Sequence, residues 1–564
     1  MMGFGCWLVV FGYWFDRRGA EARRREESSL SVFFFQILRN VFCVTIRSSK
    51  HHSLKPVITS SLRLCASAVI FSFLITATQA QTLDVTRFGA IGNGKTLNTR
   101  ALQAAIDSCS RQGGGTVLFP AGTFLTGTLN LKSNITLELS NGAVLLGSGD
   151  INDYEEERIN NRRHLIYARG ASNIAIIGQG TIDGQGKAFW KGDTLDFEPI
   201  PPRPIHWLRF ENCSRVQLRD IRLQNSPSHV CYLDTCNDVT IDGITLLNDA
   251  RVPNTDGFDM SDCSNVRISN CLISTGDDAI CLKGNGRRVE NILVSNCVIE
   301  SDDAALKLGT GSLGVMQNCI FSNCIIRNSR YGIALFMIEG GTHRNITFQN
   351  ISIDGGSRHP YDYPIFVDLD RKDSSFALGT MENLNFHDIT ARTQGKILIS
   401  GHPEKNITSL SLRNITLEAS NCAAMTKARK PKGNRNYKYE SRIGNADFAN
   451  APTLIALGYA DKIQMENVRV RLTDSTANEK SMISSVGAAS FALTSFMVEA
   501  KKQAGVSLKK PVITASKSNL LRVNNAELWT NAPALLECSE MMPKSVQARN
   551  NELSGAKEIV WKKK

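Results

Sequence analysis

The chain lacks the marks of several protein classes, and each absence narrows what it can be. Its 43 glycines and 16 prolines carry no Gly-X-Y period, which excludes a collagen-like fibre. Fifteen cysteines in 564 residues fall far below the density of a fold built from disulfides. Amphipathic helical runs are missing from the middle of the chain, which argues against a doubly wound α/β fold. No zinc spacing and no basic–aromatic motif appears, so nucleic acid is not expected as a partner. What remains, 42% hydrophobic and 21% charged, is too apolar for a disordered chain and ample for a large core.

The first eighty residues stand outside that core. Of the formal charge of +12, residues 1–80 supply +6, from ten Lys/Arg against four Asp/Glu. From Leu64 to Thr76 runs an apolar block, preceded by Lys55 and Arg63 and followed by Thr78-Gln79-Ala80. A basic flank, a short apolar block and small residues before a cut read as a secretory signal peptide, cleaved after Ala80. The block falls short of the roughly 20 apolar residues of a spanning helix. A membrane anchor is the alternative. Residues 1–50, with Trp7, Trp14 and Arg23-Arg24-Arg25, show no pattern and read as an upstream extension of the reading frame. A secreted, extracellular chain is expected, a monomer with no stable membrane association after cleavage.

The middle of the chain repeats. An alternating phrase recurs as VQLRDI at 216–221, VTIDGI at 239–244, VRISNC at 266–271, ILVSNC at 292–297, CIFSNC at 319–324 and ITFQNI at 346–351. It returns as LNFHDI at 384–389, LSLRNI at 410–415 and IQMENV at 463–468. The first six starts are 23, 27, 26, 27 and 27 residues apart. Alternation of period 2 marks strands with one buried face. A period in the twenties with Gly/Asn/Asp turns marks a solenoid. The Leu-x-x-Leu-x-Leu frame of leucine-rich repeats is absent, so a parallel β-helix with right-handed crossovers is expected. Its domain plan is a leader over 1–80, an all-β solenoid over 81–530 and a C-terminal tail over 531–564.

Asn270, Asn296, Asn323 and Asn350 fall at equivalent positions and should bond rung to rung. Cys271, Cys297 and Cys324 follow them and should stack as buried thiols. Thr99 to Arg111 has apolar residues at helical spacing, stopped by Gly113-Gly114-Gly115. Such a helix would cap the open end of the solenoid. Near the other end, SVGAASFALTSFMVEAKKQ reads as a helix or an edge cover, and LLRVNNAELW as one more rung.

Most aspartates here read as turn or ladder residues, and one cluster stands apart. Asn254-Thr255-Asp256-Gly257-Phe258-Asp259 is followed by Thr275-Gly276-Asp277-Asp278-Ala279, with Asp277 21 residues after Asp256. Nearly one coil of separation puts the two segments on adjacent rungs, about 4.8 Å apart. Crowded carboxylates repel, raising the pKa of at least one. A protonated acid beside ionised bases is what glycosidic cleavage requires. Strict alternation would turn Asp277 and Asp278 to opposite faces. A bend at Gly276 is expected to bring both into one cleft. The competing reading is a turn pair that bonds local amides. Asp302-Asp303 echoes the pair 25 residues later and reads mainly as repeat symmetry.

NTDGFDM followed by GDDAICLKG resembles glycoside hydrolase family 28, the polygalacturonase-like pectin hydrolases. The resemblance runs from about Leu83 to Val470 and includes FGAIGNGKTLNTRALQAAI, GGGTVLFPAGTFLTG, Asn225-Ser226-Pro227 and YGIALFMIEGG. It implies a right-handed parallel β-helix of the pectin-lyase-like kind and inverting hydrolysis of α-linked galacturonan, without metal or organic cofactor. The implied partner is a pectic polysaccharide or oligosaccharide. The implied roles are Asp277 as general acid, Asp256 and Asp278 as activators of the attacking water, and Asn254 as a subsite residue. Inversion ordinarily leaves roughly 6.5–9.5 Å between acid and base.

Two departures bear on the substrate. Typical members carry Gly-His-Gly after the aspartate pair and Arg-Ile-Lys further on. Here the matching places read Asp303-Ala304-Ala305 and Ala334-Leu335-Phe336. Lys283, Lys307, Arg330, His343 and Arg344 lie nearby as replacements, each weighed against a solvated surface residue. Plain galacturonan therefore competes with rhamnogalacturonan or xylogalacturonan, and with exo action on short oligomers. A lyase on the same fold would need a basic proton abstractor and Ca²⁺, and no EF-hand-like loop is present. A non-catalytic glycan-binding solenoid is the remaining alternative.

Overall fold

The computed structural model describes residues 81–157, 161–192, 198–356, 362–422, 451–500, 505–553 and 556–561. The expected leader and the last three residues of the expected tail, 562–564, lie outside the described residues. Two long parallel sheets dominate, with 25 and 15 strands among the described residues. One short pair, Trp190–Lys191 against Glu198–Pro199, is antiparallel. The chain winds as a right-handed parallel β-helix.

The repeated phrase sets the register. Val216 pairs with Val239, then Val266, Ile292, Cys319, Ile346, Leu384, Leu410 and Ile463 in one unbroken column. Every second residue points inward, so the sheet has a continuous apolar lining. Phe321, Phe348 and Phe386 stack inside it at ring separations of 4.7 and 5.5 Å.

The asparagine corner follows the sequence reading. Asn270, Asn296, Asn323 and Asn350 all have φ between 52° and 58°, a left-handed conformation that Asn tolerates. The amides of Asn296, Asn323 and Asn350 each donate to the side-chain oxygen of the preceding Asn, at 3.4, 3.3 and 2.8 Å. Cys271, Cys297 and Cys324 are buried free thiols. The helix Thr99–Arg111 buries Leu102, Ala105, Ile106 and Cys109 over the first strands.

The carboxy-terminal reading needs two corrections. Ser490–Ala500 is a strand in register with Lys462–Leu472, neither a helix nor a cover. The solenoid also does not stop at 530, because Ala534–Ser539 and Lys557–Trp561 extend the 15-stranded sheet. Ala534, Leu535, Leu536 and Cys538 are buried there without strict alternation, so this strand adds no visible period. Among the described residues no helix is long and apolar enough to cross a membrane.

Candidate active site

The site lies on the outer face of the 15-stranded sheet, where the chain turns a corner from the larger sheet. One outward column of this face reads Arg209, Tyr232, Asp259, Cys281, Lys307, Ala334, Phe366 and Leu398. The corner residues just before these strands add His229, Asp256 and Asp278 on three successive rungs, as the amide of Val230 donates to Asp256 O and that of Gly257 to Asp278 O.

Asp277 and Asp278 sit in the corner between Leu272–Thr275 and Ile280–Gly284, so strand alternation does not govern them. Gly276 makes the corner by close packing. A Cβ there would lie 2.1 Å from Val252 O and 2.9 Å from Asp249 O. Thr275 Oγ1 and Ser301 Oγ both donate to the Asp277 carbonyl, at 2.6 and 2.7 Å, and hold the turn. The backbone amide of Asn254 donates to Asp277 Oδ2 at 3.1 Å.

Asp256, Asp277 and Asp278 each place one carboxylate oxygen within 4.8 Å of the other two. This is tighter than the separation expected from the inverting pattern. Adjacent rungs are about 4.8 Å apart, and both aspartate segments turn toward the same corner.

The surroundings separate the three groups electrostatically. Burial, with the neighbouring charges of Asp256, Asp278 and Asp303, pushes the Asp277 carboxyl well above the usual range. Burial also raises Asp278, to about 7, although Lys307 opposes it. Burial acts against ionisation of Asp256, but His229, Lys283 and Lys307 outweigh it and hold its pKa below the usual value. One cluster thus holds a carboxyl that keeps its proton and a carboxylate that gives it up. Asp278 Oδ1 is buried without a hydrogen-bond partner and is free to accept one.

Lys283 and Lys307 are not solvated surface residues, contrary to the alternative weighed for them. Lys307, 8% exposed, places Nζ 2.6 Å from Asp278 Oδ2 and 3.9 Å from Asp303 Oδ2. Lys283 Nζ lies 2.7 Å from Asp259 Oδ1 and 3.5 Å from Asp256 Oδ2. Arg330, also buried, reaches Asp303 at 3.5 Å, so Asp303 is more than an echo of the repeat. Asn254 is exposed at the rim, and its Oδ1 accepts from Arg203 at 3.2 Å.

His343 and Arg344 do not join the site. His343 is buried inside the solenoid between Met316 and Met381, and Arg344 pairs with Gln317 and Glu382 on the larger sheet.

Sequence reasoning missed His229, whose Nε2 is 3.3 Å from Asp256 Oδ1, and Asp259, the partner of Lys283. The signal was the repeat itself, since His229 precedes Asp256 by 27 residues, one coil. Two clusters, His229/Asp256/Asp259 and Asp256/Asp277/Asp278, have the donor types for a metal ion. The Lys283 and Lys307 ammoniums already neutralise them, where a bound cation would do so, and the fit to a metal is poor.

Beyond Lys307 the outer face changes character. Tyr331, Ala334, Phe336, Tyr363, Phe366 and Leu398 form an apolar cluster separate from the core, and all are buried. Tyr331 stacks on Tyr363 at 5.4 Å, and Phe366 meets Phe336 at 5.1 Å. The open part of the face lies toward the amino-terminal rungs, around Asn254, His229, Tyr232 and Arg203.

A parallel β-helix carrying three clustered aspartates on one outer face is the class that fold and site define. The profile of the glycosyl hydrolases family 28 matches residues 109–435, and the chain belongs to that family. It is 34% identical over 224 residues to a probable polygalacturonase of Vitis vinifera, covering 36% of this chain and 45% of that one. A probable polygalacturonase of Arabidopsis thaliana is 27% identical over 405 residues, covering 66% of this chain and 88% of the relative. The crystal structure of an exopolygalacturonase from Thermotoga maritima shares the fold, with a TM-score of 0.53 at 21% identity, covering 69% of this chain and 91% of that one. The chain spans about half the length of the first curated relatives it matches.

Proposed function

We propose that the protein is a secreted glycoside hydrolase that cleaves α-glycosidic bonds of galacturonan-containing pectin. The observation that carries this reading is the meeting of Asp256, Asp277 and Asp278 within 4.8 Å in surroundings that drive their proton affinities apart. Asp277, whose carboxyl is held well above its usual range, gives its proton to the leaving glycosidic oxygen. Asp256, ionised, accepts a proton from the attacking water, and Asp278 Oδ1 helps to hold that water. Membership of family 28 and the likeness to proteins named polygalacturonases support the pectic substrate. The signal-like segment before Ala80 supports secretion.

An elimination mechanism fits poorly. It needs a neutral base near the sugar, and carboxylates around Lys283 and Lys307 outweigh burial and keep both ammoniums protonated. The stereochemical course rests on the family resemblance. The spacing of the carboxylates favours a second reading, because it approaches the roughly 5–5.5 Å of retaining enzymes. Digestion of defined pectic oligomers, with the first anomer released read by NMR, tests both points. Inversion on galacturonan is expected, and no reducing-end release from any pectic fragment would overturn the hydrolase reading.

A further inference from the structure

The sequence lacks the Arg-Ile-Lys segment that would grip a uronate carboxylate, and the structure puts Ala334-Leu335-Phe336 in that place, buried. A polymer of uronic acids must still be neutralised somewhere along the groove. Among the described residues, Lys283, Lys307, Arg330 and Arg209 are each held by carboxylates of the protein. Two half-buried guanidiniums near the cluster are not ion-paired.

Arg203 is one of them. Its Nη1 donates to Pro227 O at 2.7 Å and its Nη2 to Asn254 Oδ1 at 3.2 Å. Both acceptors are neutral and no carboxylate bonds it directly, although the nearby charge of Asp256 partly offsets the cost of its burial. Through Asn254, whose amide holds Asp277 Oδ2, Arg203 stands one residue from the acid. Arg162 is the other, with Nη1 3.3 Å from His206 Nδ1. The amide of Ile205 donates to Arg163 O at 3.0 Å, so the two arginine-bearing segments run side by side. His206 stacks on Tyr232 at 4.0 Å and meets His229 edge-on at 5.1 Å, which ties this region to the rung of Asp256. Burying a guanidinium with no carboxylate bonded to it is costly, and a ligand carboxylate would reduce that cost through charge-assisted, bidentate bonds.

We propose that Arg203, with Arg162 beside it, is the carboxylate-recognition subsite for a galacturonate unit on the amino-terminal side of the Asp256–Asp277–Asp278 cluster. This inference rests on the pectic reading of the same site. Arg203 makes the contact nearest the acid, and Arg162 extends the positive surface one step along the open part of the face. The missing cations of the family are thereby supplied from the opposite flank of the cluster.

Calorimetry of trigalacturonate and its methyl ester against the full chain carrying Asp277→Asn tests the subsite without depending on turnover. Adding Arg203→Gln is expected to weaken trigalacturonate binding about 10–100-fold, as loss of a charge-assisted pair predicts. Binding of the methyl ester should change less than about twofold, and Arg203→Lys should fall between. Thermal midpoints of the variants report whether they fold. Equal losses for acid and ester, no loss at all, or no trigalacturonate binding before Arg203 is changed would each overturn the subsite. In the last case, wild-type cleavage of a neutral or branched pectic fragment would leave the hydrolase reading standing. Arg203-dependent binding in a protein that cleaves nothing would do the reverse.

Discussion

Lys307 Nζ and Asp278 Oδ2 lie 2.6 Å apart on adjacent rungs, both buried. Removing one partner of such a pair costs about 3–5 kcal/mol if the other stays charged. Asp278 has a cheaper escape, since burial already raises it to about 7 and Lys307, with a smaller share from Lys283, opposes that rise. Lys307→Met should therefore leave Asp278 protonated at neutral pH. The expected result is a fall in kcat/KM on the order of tenfold or more, with the acid limb of the pH profile moved upward. A pH–rate profile with an unmoved acid limb would contradict the coupling.

Asp277→Asn keeps the turn and its hydrogen bonds to Thr275 and Ser301, which use the backbone carbonyl. In the proposed mechanism it removes the proton given to the leaving oxygen. Hydrolysis should drop by about 10²–10⁴-fold, the usual contribution of a general acid. Reducing-end assays measure the loss, and an unchanged far-UV circular dichroism spectrum shows the fold intact.

Gly276→Ala tests the corner. The added methyl would overlap Val252 O at 2.1 Å, and backbone cannot move aside as a flexible side chain does. A cost of about 1–3 kcal/mol is expected, with a lower thermal midpoint. Displacing the corner should also reduce kcat, because Asp277 is the next residue. Wild-type stability together with wild-type turnover would count against this packing.

Asp368 gives a pH-dependent test away from the Asp256–Asp277–Asp278 cluster. It is buried, and burial together with Asp370 pushes its carboxyl up to about 8. Between the ordinary carboxylate pKa and 8 the folded chain holds a proton that the unfolded chain has released. Stability must then fall as pH rises through that window, by at most about 1.4 kcal/mol per pH unit from this group. Asp368→Asn cannot ionise, so its stability relative to wild type should grow between pH 5 and pH 8. Denaturant midpoints at the two values measure the difference, and a constant offset would refute the shift.

The rungs were legible because their inward columns repeat at nearly constant spacing. Val216 through Ile463 align in the sequence as they pair in space. Outward residues carry no such period, and chemistry sits on them. Asp256, Asp277 and Asp278 were visible because two motifs one coil apart put them in reach. Lys283 and Lys307 were visible as candidates, but their burial depends on Asp259 and Asp278 as counter-ions, which a linear reading cannot rank against solvent. The strand Ser490–Ala500 escaped because SFALTSFMVEA alternates only in company with its neighbours. Arg203 was hidden for a different reason. It lies outside the repeated strands, and only the fold brings it to Asn254, 51 residues ahead.

Beyond Lys307 the outer face ends in a buried aromatic cluster. Tyr331, Phe336, Tyr363 and Phe366 pack against one another there, ring on ring. If a pectic chain enters from the proposed Arg203 subsite, it meets this cluster on the carboxy-terminal side of the aspartates. For the hydrolase proposed here, short products of uniform length are the expected outcome of this arrangement, and a spread of long fragments in a timed digest would contradict it.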